Sequence, residues 1–169
     1  MKTENQILYE RYDENWQRIY FDSNSQGFVV AHIEHGRDEL PINSAIAIRL
    51  AEYFGERIEL LPNLNLHKQQ SADATRNGEI WEWKKVIETA TSVQARLRKG
   101  GKQSSKILLS LTFDFQESDI LRGLMSAVNT DKSQRIQIID FLLPTNRLIR
   151  MTREQIKKRD FKSFFDALK

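Results

Sequence analysis

The sequence of 169 residues contains no cysteine. Disulfide bonds, thiol catalysis and thiolate zinc sites are therefore excluded. No apolar run approaches the roughly 18 residues that a membrane-spanning helix needs. Residues 1–6 also lack the apolar core of a signal peptide. From these absences we expect a soluble protein that acts in the cytoplasm and carries no secretion signal of its own.

A strong excess of one charge is also missing, because 26 Lys and Arg residues stand against 23 Asp and Glu residues. The net charge of +3 is too small to indicate nucleic-acid binding by itself. The sequence has no P-loop, no dinucleotide-binding glycine pattern and no G-x-S-x-G motif. It therefore gives no support to nucleoside triphosphate hydrolysis, dinucleotide redox chemistry or α/β-hydrolase chemistry.

Internal repeats, low-complexity tracts and linkers rich in Pro, Gly or Ser are absent as well. We therefore expect one domain over residues 1–169, with N-terminal strands in 1–39, a nuclease-like core in 40–113, and further helices and strands in 114–169. The hydrophobic pattern predicts a mixed α/β fold, in which helices flank a central mixed sheet. The core should follow the order α-β-β-β-α-β from Asn43 to Phe113.

The predicted elements follow from apolar periodicity, turn residues and helix caps. In chain order they are strands at 18–21 and 28–33, a helix at 44–54 capped by Asn43 or Ser44 and ended by Gly55, a strand at 57–61, a hairpin at 72–86, a helix at 91–103, a strand at 106–113, a helix capped by Ser118, strands at 135–142 and 147–151, and a last helix that starts with a capping box at 152–155.

The hairpin is predicted by Asn77-Gly78, which is the strongest sequence signal for a two-residue turn. A turn at this dipeptide fixes the register, and the register places Asp73 opposite Glu82. Side chains alternate along a strand, so Trp81 and Trp83 share one face. Two tryptophans on one face predict that this face is buried.

The opposite face of the hairpin then presents Asp73, Glu82 and Lys84 within reach of one another. Directly opposed carboxylates repel each other unless a cation lies between them. Asp73 and Glu82 are therefore predicted to bind Mg²⁺, which polarises a phosphate and lowers the pKa of the attacking water. Lys84 would stabilise the developing charge, so this arrangement is typical of phosphodiester cleavage. The alternative is a salt-bridge trio on the surface.

The helix that follows carries Arg96, Lys99 and Gln103 at i, i+3 and i+7, with Lys102 beside them. In a strand–helix–strand crossover this helix packs beside the strand that carries Glu82. Its basic residues are therefore predicted to hold a phosphate backbone. A solvated helix face is the alternative for these residues alone. A second basic cluster, at 147–158, favours a solvated face.

In their order and spacing these motifs resemble the C-terminal tRNase domains of bacterial contact-dependent growth inhibition toxins, and the related nuclease-like modules of phage and mobile-element proteins. The resemblance covers residues 27–113. It is carried by Leu50-Ala51, Gly55, Ile58-Glu59-Leu60-Leu61-Pro62, Ala72-Asp73-Ala74, Asn77-Gly78, Trp81-Glu82-Trp83-Lys84, Lys102-Gln103 and the apolar run at 107–111.

The resemblance implies an endonuclease that cleaves RNA, above all tRNA, and that a cognate immunity protein neutralises. Asp73, Glu82 and Lys84 match the acidic and lysine motif of the family, and Gln103 matches the glutamine of its basic helix. Ala72 departs from the pattern, because the family usually has proline there.

Three alternatives remain open at the level of sequence. The Asp…Glu-x-Lys arrangement also resembles the PD-(D/E)xK nuclease superfamily, which includes restriction-like enzymes that cut DNA. Barnase-like and colicin-like ribonucleases would cut RNA without a metal. A catalytically inactive interaction or structural protein of a mobile element, with a nuclease-like fold, is the non-enzymatic alternative.

Overall fold

The structure is a computed structural model that describes residues 2–63, 72–86, 90–112 and 115–169. It is a mixed α/β protein, and the described residues form six helices and eight strands. The predicted fold class is therefore confirmed. Contacts divide the chain into two compact units, Met1–Trp81 and Glu82–Lys169, which we describe separately. The sequence-based interpretation as one domain stays a prediction.

The first unit combines two helices with the strands that precede the unit boundary. Strands β1 and β2 are antiparallel, β2 and β3 are parallel, and β4 pairs antiparallel with both β3 and the start of β5. The predicted strands and their order are confirmed. The elements are α1 (Glu4–Arg11), β1 (Trp16–Phe21), β2 (Phe28–His32), α2 (Leu40–Phe54), β3 (Arg57–Leu60), β4 (Ala74–Arg76) and β5 (Glu79–Val86), which continues into the second unit.

Helix α1 was not expected from the sequence, because it has no apolar stripe and none of its residues is buried. Local polar contacts hold it instead. The Thr3 side chain caps its first turn by accepting a hydrogen bond from the backbone N–H of Gln6 (3.2 Å). At the other end, the Arg18 guanidinium donates to the carbonyl oxygens of Tyr9 (3.0 Å) and Glu10 (2.6 Å).

Helix α2 begins at Leu40 rather than at residue 44, with Pro41 in its first turn. The predicted cap is wrong, because the N-cap residue is Glu39 and no side chain caps the helix. Asn43 has another partner: its amide donates to His35 Nε2 (3.1 Å), while His35 Nδ1 donates to the Leu61 carbonyl oxygen (2.6 Å). The end of α2 is as predicted.

Gly27 lies in close contact with the backbone of α2, so a larger residue at this position should destabilise the protein. A Cβ atom on Gly27 would lie 2.1 Å from the carbonyl oxygen of Ala51 and 2.6 Å from its carbonyl carbon. We expect Gly27→Ala to lower the free energy of unfolding by about 3 kcal/mol, as in overpacked cores. Gly78→Ala is the control, because Gly78 has φ 85° but no atom within 4 Å of the added methyl group. There we expect about 1–2 kcal/mol.

Denaturant unfolding of the two variants checks this prediction. If Gly27→Ala is no less stable than Gly78→Ala, the close contact with Ala51 does not limit the packing of α2.

The hairpin forms with the predicted register. Asn77 (φ 50°) and Gly78 (φ 85°) are both left-handed, as the favoured two-residue turn requires. Ala74 pairs with Trp81, and Arg76 pairs with Glu79. The side chains of Trp81 and Trp83 are buried, with 1% and 4% exposed, so the prediction that both tryptophans lie in the core is confirmed.

The second unit begins with the remainder of β5. Strands β5, β6 and β7 are parallel neighbours in that order, and β8 is antiparallel to β7. The predicted parallel pairing across the helical crossover is therefore confirmed. One sheet face packs with the helices in a single apolar core. The elements are α3 (Ala90–Gly100), β6 (Lys106–Leu111), α4 (Glu117–Thr130), β7 (Ile138–Leu142), β8 (Leu148–Thr152), α5 (Arg153–Lys157) and α6 (Lys162–Leu168).

Several predicted boundaries in this unit are wrong. Helix α3 ends at Gly100 instead of residue 103, and the N-cap of α4 is Gln116 instead of Ser118. The last helix is divided into α5 and α6, with Arg159 in a left-handed conformation (φ 56°) between them. The capping box at the start of α5 is confirmed. None of the helices in the described ranges is long and apolar enough to span a membrane.

Candidate functional site

Glu82 and Lys84 lie in β5 and point to the sheet face that the helices cover. Glu82 is the register partner of Ile107, and Lys84 is the register partner of Leu109. Both partners belong to the apolar core of the second unit. The Glu82 side chain is fully buried, and only 14% of the Lys84 side chain is exposed. The Lys84 ammonium forms an ion pair with Glu82 Oε1.

The end of α3 packs directly on Glu82. A Cβ atom on Gly100 would lie 3.3 Å from Glu82 Cγ and 3.2 Å from Ile107 Cδ1. The chain then turns, and the backbone N–H of Gln103 donates to the Gly100 carbonyl oxygen (2.8 Å). The structure therefore brings Glu82, Lys84 and the end of α3 together, with Gln103 in the adjoining turn.

Burial of the Glu82–Lys84 ion pair lowers the stability of the folded protein. Both charges lose their hydration, and an apolar pair of similar size is often as stable or more stable. A buried, charged pair that packing alone does not require is a candidate for a functional site. The burial of Glu82 also argues against the alternative of a salt-bridge trio on the surface.

Asp73 belongs to the first unit, where it is half-buried and directly precedes β4. The strand pairing starts after it, with Ala74 and Trp81. Because the unit boundary falls between Trp81 and Glu82, the pairing of Asp73 with Glu82 stays a prediction. Within the described ranges, no group of three or more His, Asp or Glu side chains could hold a metal ion. A Mg²⁺ site of two carboxylates also stays a prediction.

The predicted basic stripe is shorter than expected. Arg96 and Lys99 are exposed on α3, whereas Lys102 and Gln103 lie in the turn after the helix ends at Gly100. Lys102 is exposed and Gln103 is half-buried. We call Arg96, Lys99 and Lys102 the basic strip, which presents three positive charges next to the chain segment that packs on Glu82.

The second unit contains another buried carboxylate, which the sequence analysis does not predict. Asp140 in β7 is fully buried, and both of its oxygens accept hydrogen bonds from the Arg150 guanidinium (2.8 and 2.9 Å). Its register partner on β6 is Leu108, which also pairs with Trp83, so Asp140 and Glu82 lie on opposite sheet faces. The only sequence signal is an acid within the apolar strand at 138–142.

The first unit contains a separate pocket of about 380 Å³, lined in part by Arg11, Arg57 and Tyr12. Its acid, Glu59, accepts hydrogen bonds from the Tyr12 hydroxyl (2.6 Å) and the Thr75 hydroxyl (2.5 Å). Burial and the neighbouring Glu59 carboxylate raise the pKa of Tyr12 above its ordinary value, so its hydroxyl remains a donor. These contacts give Glu59 a structural role.

Comparisons with known proteins give a distant structural similarity. No protein-family model matches the chain, and no curated protein matches it. Among solved structures, the chain is similar to one from the CdiA-CT/CdiI toxin and immunity complex of Burkholderia pseudomallei. The sequence identity is 16%, the TM-score is 0.47, and the alignment covers 68% of this chain and 85% of that chain. This similarity establishes neither a family nor an activity for the chain.

Proposed function

We propose that this chain is an endonuclease that cleaves RNA, with tRNA as its substrate, and that it acts as a bacterial toxin-like module. The observation that carries the proposal is the buried Glu82–Lys84 ion pair beneath the end of α3. The choice of RNA, and of tRNA within it, rests on the resemblance of the sequence motifs. The exposed basic strip beside the pair supports a polyanionic substrate.

The reaction in this proposal is hydrolysis of a phosphodiester bond. A water oxygen bonds to phosphorus, the ester bond to the leaving oxygen breaks, and the leaving oxygen takes up a proton. Lys84 stabilises the negative charge that develops on the phosphate oxygens. Its ion pair with Glu82 holds the ammonium group in place before the substrate arrives. The Gln103 amide positions the scissile phosphate by donating a hydrogen bond.

The carboxylates of Glu82 and Asp73 belong to the donor class that Mg²⁺ prefers, and one or two protein carboxylates are typical of such sites. When bound, Mg²⁺ would supply a polarised phosphate and a more acidic water molecule. The basic strip contacts the RNA backbone on either side of the scissile bond. It would also form the surface that an acidic immunity protein covers, because opposite charges steer such partners together.

Loss of one charge from the basic strip should weaken RNA binding in a salt-dependent way. For Lys99→Ala we expect the slope of log K against log salt to fall by about 0.7, the value for one phosphate contact on a single strand. Fluorescence anisotropy with a labelled RNA oligonucleotide, at several salt concentrations, measures this slope. Lys162→Ala is the control, because Lys162 lies on α6 with 82% of its side chain exposed. If the two variants have equal slopes of log K against log salt, the basic strip does not contact the RNA.

A further inference from the structure

The second unit contains a pocket of about 310 Å³, and Lys102 is the one residue that its lining shares with the residues of the proposed function. The pocket lies between the end of α3 and the loop that follows α4. Four cationic side chains line it, and all four are exposed to solvent. We call this the cationic pocket; its cations are Arg98, Lys102, Lys132 and Arg135.

The acid in the pocket lining, Asp131, does not cancel these charges. Its Oδ2 atom accepts hydrogen bonds from the Arg153 guanidinium (2.8 Å) and from the backbone N–H of Ile136 (2.9 Å). Burial raises the pKa of Asp131, but the backbone N–H groups and Arg153 outweigh burial and hold that pKa below its ordinary value. Asp131 is therefore ionised and already matched by Arg153, which leaves the pocket with an excess of positive charge.

Arg153 also fixes the shape of the loop before any ligand binds. Its guanidinium is buried and donates to the carbonyl oxygens of Val128 (3.2 Å), Asp131 (3.0 Å) and Ile136 (3.1 Å). The loop that carries Lys132 and Arg135 is thus tied to the end of α4 and to the start of α5. A pre-formed site loses less entropy on binding than a mobile one does.

We propose that the cationic pocket binds phosphate groups of an RNA backbone and so provides a second anchoring point on the substrate. The identity of the polyanion rests on the proposed function. Guanidinium groups match phosphate oxygens with paired hydrogen bonds, and ammonium groups add charge. Lys102 belongs to both the pocket and the basic strip, so the two sets of positive charges meet at this residue. A polymer can contact both sets, whereas a single phosphate ion contacts only the pocket.

The test uses the double variant Lys132→Gln/Arg135→Gln, which keeps Lys102 and the whole basic strip. Its control is Lys162→Gln/Lys169→Gln, which removes the same charge from two lysines of the second unit with 82% and 80% of their side chains exposed. We expect the pocket variant to bind a labelled RNA oligonucleotide about tenfold more weakly, with a salt slope lower by about 1.4 for its two lost contacts.

Cleavage of a dinucleotide should be the same in both variants, because neither variant changes Glu82, Lys84 or Gln103. This comparison separates the two proposals. If the parent protein cleaves no RNA but the pocket variant binds RNA more weakly than the control variant, the nuclease proposal is overturned and the pocket proposal is supported. The pocket proposal is overturned if both double variants bind RNA with equal affinity and slope. It is also overturned if only binding of inorganic phosphate is lost.

Discussion

Replacing Glu82 by glutamine should lower the rate of RNA cleavage by about 10²–10³-fold, the usual loss when one charge-stabilising group is removed from an active site. Glutamine keeps the shape of the side chain but removes the charge that pairs with Lys84 and would bind the metal ion. RNA binding should remain nearly unchanged, because the basic strip lies outside the buried pair. Single-turnover cleavage and anisotropy, measured on the same preparations, separate the two effects.

Because Glu82 is buried, the variant needs a control for lost stability. Asp140→Asn is a matched control variant, because Asp140 is also fully buried in the sheet of the second unit and is paired with an arginine. It lies on the sheet face opposite to that of Glu82. We expect Asp140→Asn to lose stability and to keep its cleavage rate per folded molecule. If both variants are folded and lose the same activity, Glu82 has no special role. A Glu82→Gln variant that cuts as fast as the parent contradicts the mechanism outright.

The largest loss of stability should come from Arg153→Met. This change leaves the Asp131 carboxylate and three carbonyl oxygens without their guanidinium donor, and breaking a buried ion pair costs about 3–5 kcal/mol. Arg122→Met is the control, because Arg122 pairs with Asp119 on the surface of α4 with 69% of its side chain exposed. There we expect less than about 1 kcal/mol. Denaturant unfolding measures both changes in free energy.

The effect of Arg153 should depend on pH in a direction that the structure sets. The pKa of Asp131 is lower in the folded protein than in the unfolded chain, so its stabilisation is complete above the unfolded value. It is lost as the pH falls through the folded value. The difference in stability between the parent and Arg153→Met should therefore shrink below about pH 4. A difference that stays constant as the pH is lowered from about 4 to about 2, below the ordinary pKa of an aspartate in the unfolded chain, would show that the ion pair contributes little.

Local signals explain most of what the sequence predicted correctly. The Asn77-Gly78 turn determines the register of the hairpin from neighbouring residues alone, and the register in turn places both tryptophans on one face. Gly55 ends α2 in a left-handed conformation, as an isolated glycine after an apolar stripe indicates. The apolar run of β6 predicted a strand that is buried on both faces, and this is what the structure shows.

What the sequence did not predict depends on contacts between distant segments. The hairpin register predicts the correct face of β5 for Glu82, but the alternation of side chains cannot show that helices cover that face as well. The basic pattern runs on past Gly100, yet α3 ends there, where the glycine packs on Glu82 and Ile107. Lys132 and Arg135 join Arg98 and Lys102 only through the fold, since no periodicity connects the two segments.

The most direct test of the proposed function is a cleavage assay of the purified protein on tRNA and on duplex DNA, each with Mg²⁺ and with EDTA. We expect cleavage of tRNA with Mg²⁺, no cleavage with EDTA, and little action on duplex DNA. Cleavage of tRNA in EDTA would favour a metal-free ribonuclease, and preferential cleavage of DNA a restriction-like enzyme. If neither substrate is cut under any of these conditions, the buried Glu82–Lys84 pair is not a reaction centre and the central proposal is wrong.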